Sequence, residues 1–151
     1  MVRLTEMPAV ARSFISKLEM PRTKSSAWVQ PVPAKERRIS VVSTAAVSRR
    51  GEKPFSWQAR DYRVLHKDDR DLVMSHASVD YDRTAWQQDL NAIIPLDRLD
   101  EMAKGGEFGS VAEEHYSFMG AGDPMGMEKS AREVIGCMKE DGVNTVFLIP
   151  V

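Results

Sequence analysis

The spacing of apolar and polar positions divides the chain into elements of different period. In residues 8–19, Val10, Ala11, Phe14, Ile15 and Leu18 recur on one helical face, and Pro8 suits a first turn, so a short helix is predicted. Residues 20–37 hold three prolines among Ser, Lys and Arg and read as an irregular connector, with Trp28 and Val29 expected to pin it to the core. Residues 38–47, small and β-branched, predict a buried strand ended by Arg49-Arg50-Gly51. Residues 51–60 read as a loop, followed by short strands at 62–65 and 72–76 about a charged turn.

Residues 90–94 predict another short strand. Leu96, Leu99, Met102 and Ala103 form one apolar helix face that Gly105-Gly106 stops. The clearest helix spans 127–140: Ala131, Val134, Ile135 and Met138 share a face, Asp123-Pro124 is a plausible entry, and Gly142 lies just past its end. From Thr145 the segment 143–151 is almost continuously apolar, the pattern of a parallel strand covered on both faces. The expected fold is α/β: a layered sheet with parallel core strands and flanking helices. Residues 1–37 read as a basic helix and connector, and 38–151 as one domain. The apolar strand stops at Val151 with no helix after it, which fits either a domain left incomplete at its C-terminal end or a final central strand that needs no covering helix.

Composition changes this picture little. Of 151 residues, 42% are hydrophobic and 28% charged, with a net charge of −1, so no global charge favours a nucleic-acid partner. Residues 1–38 carry eight Lys/Arg against three Asp/Glu, a basic front end that reads as a solvated face. No apolar run is long enough to span a bilayer, and Glu6 and Glu19 interrupt any leader-like core, which places the protein in the cytoplasm by expectation. One cysteine, Cys137, excludes an internal disulfide and a multi-cysteine metal site.

Chemistry-bearing residues concentrate in two segments. Residues 76–91 bring His76, Asp80, Tyr81, Asp82, Asp89 and Asn91 into a short span. A histidine with a carboxylate can act as a general base and its orienting partner. His76, Asp80 and Asp82 can also serve as mixed N/O metal ligands, and the same residues suit a surface loop capped by its own side chains. Residues 115–126 hold His115 and Ser117 before three glycines, where the backbone can approach a ligand closely. This run is not a GxGxxG, and no confident strand precedes it. Cys137 lies at the edge of a helix's apolar face, away from the helix N-terminus that would activate a thiol, and reads as packing. No self-sufficient catalytic site emerges, and no metal set is assigned.

The block from Tyr81 to Gly120 carries a resemblance. His76 with Tyr81-Asp82, then Asp89-Leu90-Asn91, Pro95-Leu96-Asp97-Arg98-Leu99, Gly109-Ser110-Val111 and His115-Tyr116-Ser117-Phe118-Met119-Gly120 resemble the B-type selenoprotein component of the glycine, sarcosine, betaine and D-proline reductases. The similarity runs over about 38–151. Such components continue past the last strand into a turn carrying cysteine or selenocysteine, whose thiol or selenol attacks the substrate α-carbon in reductive C–N cleavage. A pyruvoyl group resides on a partner subunit.

The resemblance implies that the redox residue lies beyond Val151 and that this chain holds no cofactor of its own. Its partners would be the other reductase subunits and a small amino-acid-like substrate, with no nucleic acid and no membrane. His76, Tyr81, Asp82, Asp89, Asn91, His115 and Ser117 would line the substrate pocket. The alternative is a non-catalytic binding or scaffold subunit of a multi-subunit complex. A metal-dependent hydrolase built on His76, Asp80 and Asp82 is the third reading.

Overall fold

The computed structural model describes residues 3–19, 28–78 and 83–151. Its architecture is built around β1 (Arg38–Ser43), the β-branched run that can pair on both edges while apolar layers cover both faces. Along one edge β1 pairs in parallel with β5 (Ser110–Val111) and then β6 (Glu114–Phe118). Along the other it pairs in parallel with β7 (Thr145–Ile149), Ile39 opposite Thr145 and Ser43 opposite Ile149. β3 (Tyr62–His66) closes the far side of β6 in antiparallel register, Leu65 opposite His115. The result is the expected α/β class: a mixed sheet with parallel strands at its centre and helices on its flanks.

Each face buries a separate apolar set. On one, Ile39, Val41 and Leu65 pack with Ile93, Ile94, Phe108 and with Leu96 and Leu99 of α3 (Leu96–Lys104). (The two intervening helices are α1, Ala9–Lys17, and α2, Thr84–Gln88.) On the other, Tyr116 and Phe118 pack with Val134 and Met138 of α4 (Glu128–Glu140). The Tyr62 ring fills the gap there, with its centroid 6.0 Å from Tyr116 and 5.7 Å from Phe118. A polar staple fixes the layers at the start of β1. Arg38 Nη2 donates to Asp141 Oδ1 at 2.5 Å and Nη1 to the Val111 carbonyl at 3.1 Å, while Asp141 Oδ2 accepts the Glu113 N–H. One half-buried arginine thereby ties β1, the β5–β6 edge and the end of α4 together.

Several expectations need correction. The strand predicted over 38–47 breaks after Ser43: Ala45 N donates to Ser43 Oγ, and Ala46 takes a φ of 54°. That left-handed conformation costs a non-glycine residue about 1 kcal/mol and turns the chain into a second sheet. There β2 (Val47–Arg49) pairs antiparallel with β4 (Leu72–Met74). Residues 90–94 form a 3-10 turn (Leu90–Ala92) rather than a strand, because Asp89 accepts the Asn91 N–H and holds the backbone curled.

The start of the glycine-containing segment 115–126, for which the sequence predicts no strand, lies in β6 (Glu114–Phe118), one of the most buried strands. Trp28 and Val29, expected against the core, are instead 93% and 84% exposed. The parallel pairing of the last strand agrees with its sequence, but its burial does not: Phe147 and Leu148 are 45% and 67% exposed. Among the described residues β7 is the outermost strand on its side; Ile149 at its end packs against the cluster that holds Leu96 and Leu99, while Val146, Phe147 and Leu148 belong to neither apolar set.

Candidate functional site

The carboxyl ends of the parallel strands converge on Thr44. Its N–H donates to the Ile149 carbonyl at 3.1 Å, its carbonyl accepts Gly120 N at 3.0 Å, and its hydroxyl accepts Val151 N at 2.8 Å. A side chain at Gly120 would put its Cβ 2.8 Å from Thr44 Cβ, so the close approach of the β1 and β6 ends requires glycine there. Ala46, next along, is held from both sides. Its N–H donates to the Phe118 carbonyl, and its carbonyl accepts both the N–H and the hydroxyl of Ser75. In open α/β sheets this end of the strands is where ligands bind.

A cavity of about 420 Å³ opens beside it, past the end of β6. Its walls come from three separate stretches: Phe14, Lys17, Leu18 and Glu19 at the end of α1; Trp57, Gln58 and Arg60; and Ala121, Gly122, Asp123 and Met125. The second stretch is anchored from beneath, since Phe55 and Ala59 are buried with Ala46 and Met119 in a small apolar cluster. The third is shaped by Asp123, whose Oδ1 accepts Met125 N at 3.0 Å and caps the 3-10 turn leading into α4. Lys17 and Arg60 supply positive charge to this cavity, Glu19 and Asp123 negative charge, and half-exposed Trp57 and Phe14 aromatic surface.

The residues singled out from the sequence occupy other places. His115 and Ser117 lie side by side on β6, both wholly buried, and both serve backbone. His115 Nδ1 accepts Val41 N at 3.1 Å, and Ser117 Oγ accepts Val47 N at 2.7 Å. Accepting at Nδ1 leaves the hydrogen of a neutral imidazole on Nε2, a buried atom with no partner among the described residues. Burial pushes the His115 pKa down to about 4, which fixes that neutral form.

His76 is 8% exposed after β4, with Nδ1 accepting Ser78 N; burial, then the nearby Arg83, lowers its pKa. Asp89 and Asn91 organise the turn into α3: Asp89 Oδ1 accepts both the backbone N–H and the side-chain amide of Asn91, which holds its carboxyl below the usual range. Asn91 Oδ1 in turn accepts Asp97 N, and Asn91 lines a hollow of about 60 Å³. Tyr81 and Asp82, with Asp80, lie outside the described residues. Among the described residues, none of this set lines this cavity. Sequence reasoning missed Lys17, Trp57 and Arg60 there. Lys17 lies far from Trp57 and Arg60 in the chain, and no spacing joins the two stretches.

Comparison with known proteins gives the context. Residues 10–150 match the sequence profile described as Glycine/sarcosine/betaine reductase selenoprotein B (GRDB). The chain is 28% identical over 146 residues to the D-proline reductase subunit gamma of Acetoanaerobium sticklandii, covering 92% of this chain. It spans 59% of that relative's length. No solved structure matches. With the profile extending over nearly all of the chain, from within α1 to the end of β7, the protein belongs to the glycine/sarcosine/betaine reductase selenoprotein B family.

Proposed function

We propose that this chain is the substrate-holding part of a reductase subunit acting in reductive C–N bond cleavage on a small amino-acid-like molecule. The observation that carries the reading is positional. In a member of this family, the strand ends at Thr44, Gly120 and Val151 meet beside a cavity lined by both cationic and anionic side chains. In this reading the redox cysteine or selenocysteine follows Val151 in a turn at those strand ends, and supplies the nucleophile. A pyruvoyl group belongs to a partner subunit. The relative's name, a subunit, supports membership in a multi-subunit reductase.

His115 and Ser117 act on such a site through the backbone. By fixing Val41 and Val47, on either side of Thr44, they set where β1 ends and where the chain turns away. A selenol or thiol placed at the strand ends would be ionised near neutral pH when a following helix N-terminus or a cation stabilises the anion. The gene tests the reading directly. A UGA after the Val151 codon, followed by an in-frame extension with a Cys-containing turn, is the expected result; a UAA with no homologous extension overturns it. The second reading, a scaffold subunit, draws on one observation: the most deeply buried polar candidates, His115 and Ser117, are taken up in holding the sheet.

A further inference from the structure

Arg60 and Lys17 both line the cavity at the strand ends, and neither makes an ion pair with any described residue. Elsewhere Arg38, Arg49, Arg50, Arg63, Arg98 and Arg132 each lie against a carboxylate, whereas Arg3, Arg12, Arg37 and Arg70 also make no ion pair among the described residues and line no part of this cavity. The position of Arg60 is built. Its carbonyl accepts the Ser130 hydroxyl at 2.5 Å, and its side chain lies across Gly126. A Cβ at Gly126 would fall 2.5 Å from Arg60 Nε and 2.8 Å from Cζ, so the guanidinium occupies the space that glycine leaves open.

Opposite charge is present in the same walls, on Glu19 and Asp123, with the Trp57 and Phe14 rings beside it. A cavity of about 420 Å³ with cations, carboxylates and aromatic surface fits a small zwitterion, its aliphatic body against the rings. Arg is the better carboxylate anchor of the two cations, because its planar fork can give two parallel hydrogen bonds where Lys offers a point charge.

We propose that Arg60, seated by Gly126 and assisted by Lys17, is the residue that binds the carboxylate of the ligand in this cavity. The proposal rests on the reading of the cavity as the substrate site. The test is calorimetric titration of the full chain with acetate, glycine and D-proline, and with D-proline methyl ester as a probe lacking the carboxylate.

Arg60→Gln is expected to weaken the carboxylate probes about tenfold or more. Gly126→Ala, which displaces only the end of a flexible side chain, is expected to weaken them to a similar degree, and neither variant changes the response to the ester. Unchanged thermal transitions confirm that both variants fold. Equal affinity of wild type and Arg60→Gln for D-proline overturns the proposal, as does failure of every carboxylate probe to bind the wild type. Carboxylate binding that depends on Arg60, in a subunit that supports no reductase turnover with its partners, instead retains this anchor and removes the proposed function.

Discussion

Polar side chains meet two fates in this molecule. At the centre of the sheet, Ser40, Ser43, His115 and Ser117 are wholly buried, and each makes a hydrogen bond with backbone: Ser40 donates to the Glu114 carbonyl, and the other three accept N–H groups of Ala45, Val41 and Val47. At the cavity, Lys17 and Arg60 are exposed and make no ion pair among the described residues. The contrast separates construction from recognition. A buried donor or acceptor without a partner is costly, so interior polar groups are committed to the fold, whereas groups at a rim remain available to a ligand. The histidine and serine that look most like catalysts in the sequence belong to the first class.

The largest effect expected of this contrast is at His115. His115→Ala leaves the buried Val41 N–H without its acceptor and opens a void in the core, and chemical denaturation is expected to register a loss of about 3–4 kcal/mol. A loss below about 1 kcal/mol would place His115 outside the framework.

Acid should act through the same side chain. With a folded pKa of about 4 against an ordinary 6.5, the unfolded chain takes up a proton before the folded one as pH falls. The stability tied to the neutral ring, of order 3 kcal/mol, is complete above about pH 6.5, declines through the window down to about 4, and is gone below it. His76, also lowered by burial, adds in the same direction. Replacing His115 with Gln should flatten this slope in denaturation midpoints measured across the window.

Ser117→Ala removes only the acceptor for Val47 N and is expected to cost about 1–2 kcal/mol by the same measurement. At the rim, Arg60→Gln and Lys17→Ala should leave the denaturation midpoint within experimental scatter, since no partner is stranded. A clear destabilisation by either would erase the distinction. β7 offers a separate check on exposure. Three consecutive apolar residues, Val146, Phe147 and Leu148, stand open on a strand edge, so the chain alone should associate in size-exclusion chromatography, and Leu148→Lys should shift it toward monomer.

Much of the frame was legible in the sequence. Helical periodicity located α1, α3 and α4 to within a residue or two, and the two β-branched or apolar runs located β1 and β7. What failed did so for tertiary reasons. β6 reads as polar because His115 and Ser117 alternate with Tyr116 and Phe118, yet the serine and histidine are buried as backbone acceptors. The 90–94 run has the composition of a strand, and one Asx contact from Asp89 curls it. Apolarity promised burial for β7, but of its apolar residues Ile149 packs against a buried cluster while Val146, Phe147 and Leu148 stay exposed at the sheet's edge. The cavity was out of reach because its charges gather from three stretches that share no motif.

The centrality of β1 also has a consequence in time. Its hydrogen-bonded partners are remote: Ser40 and Glu114 are 74 positions apart, and Arg38 and Asn144 are 106 apart. On a ribosome adding about 5–20 residues per second, β1 would be made roughly 4–15 s before the first strand that can pair with it. Through that interval an apolar strand with two open edges waits at the middle of an unfinished sheet. Cells making this protein therefore face an aggregation hazard during its synthesis as well as after it, and a chaperone that holds nascent chains should raise its yield.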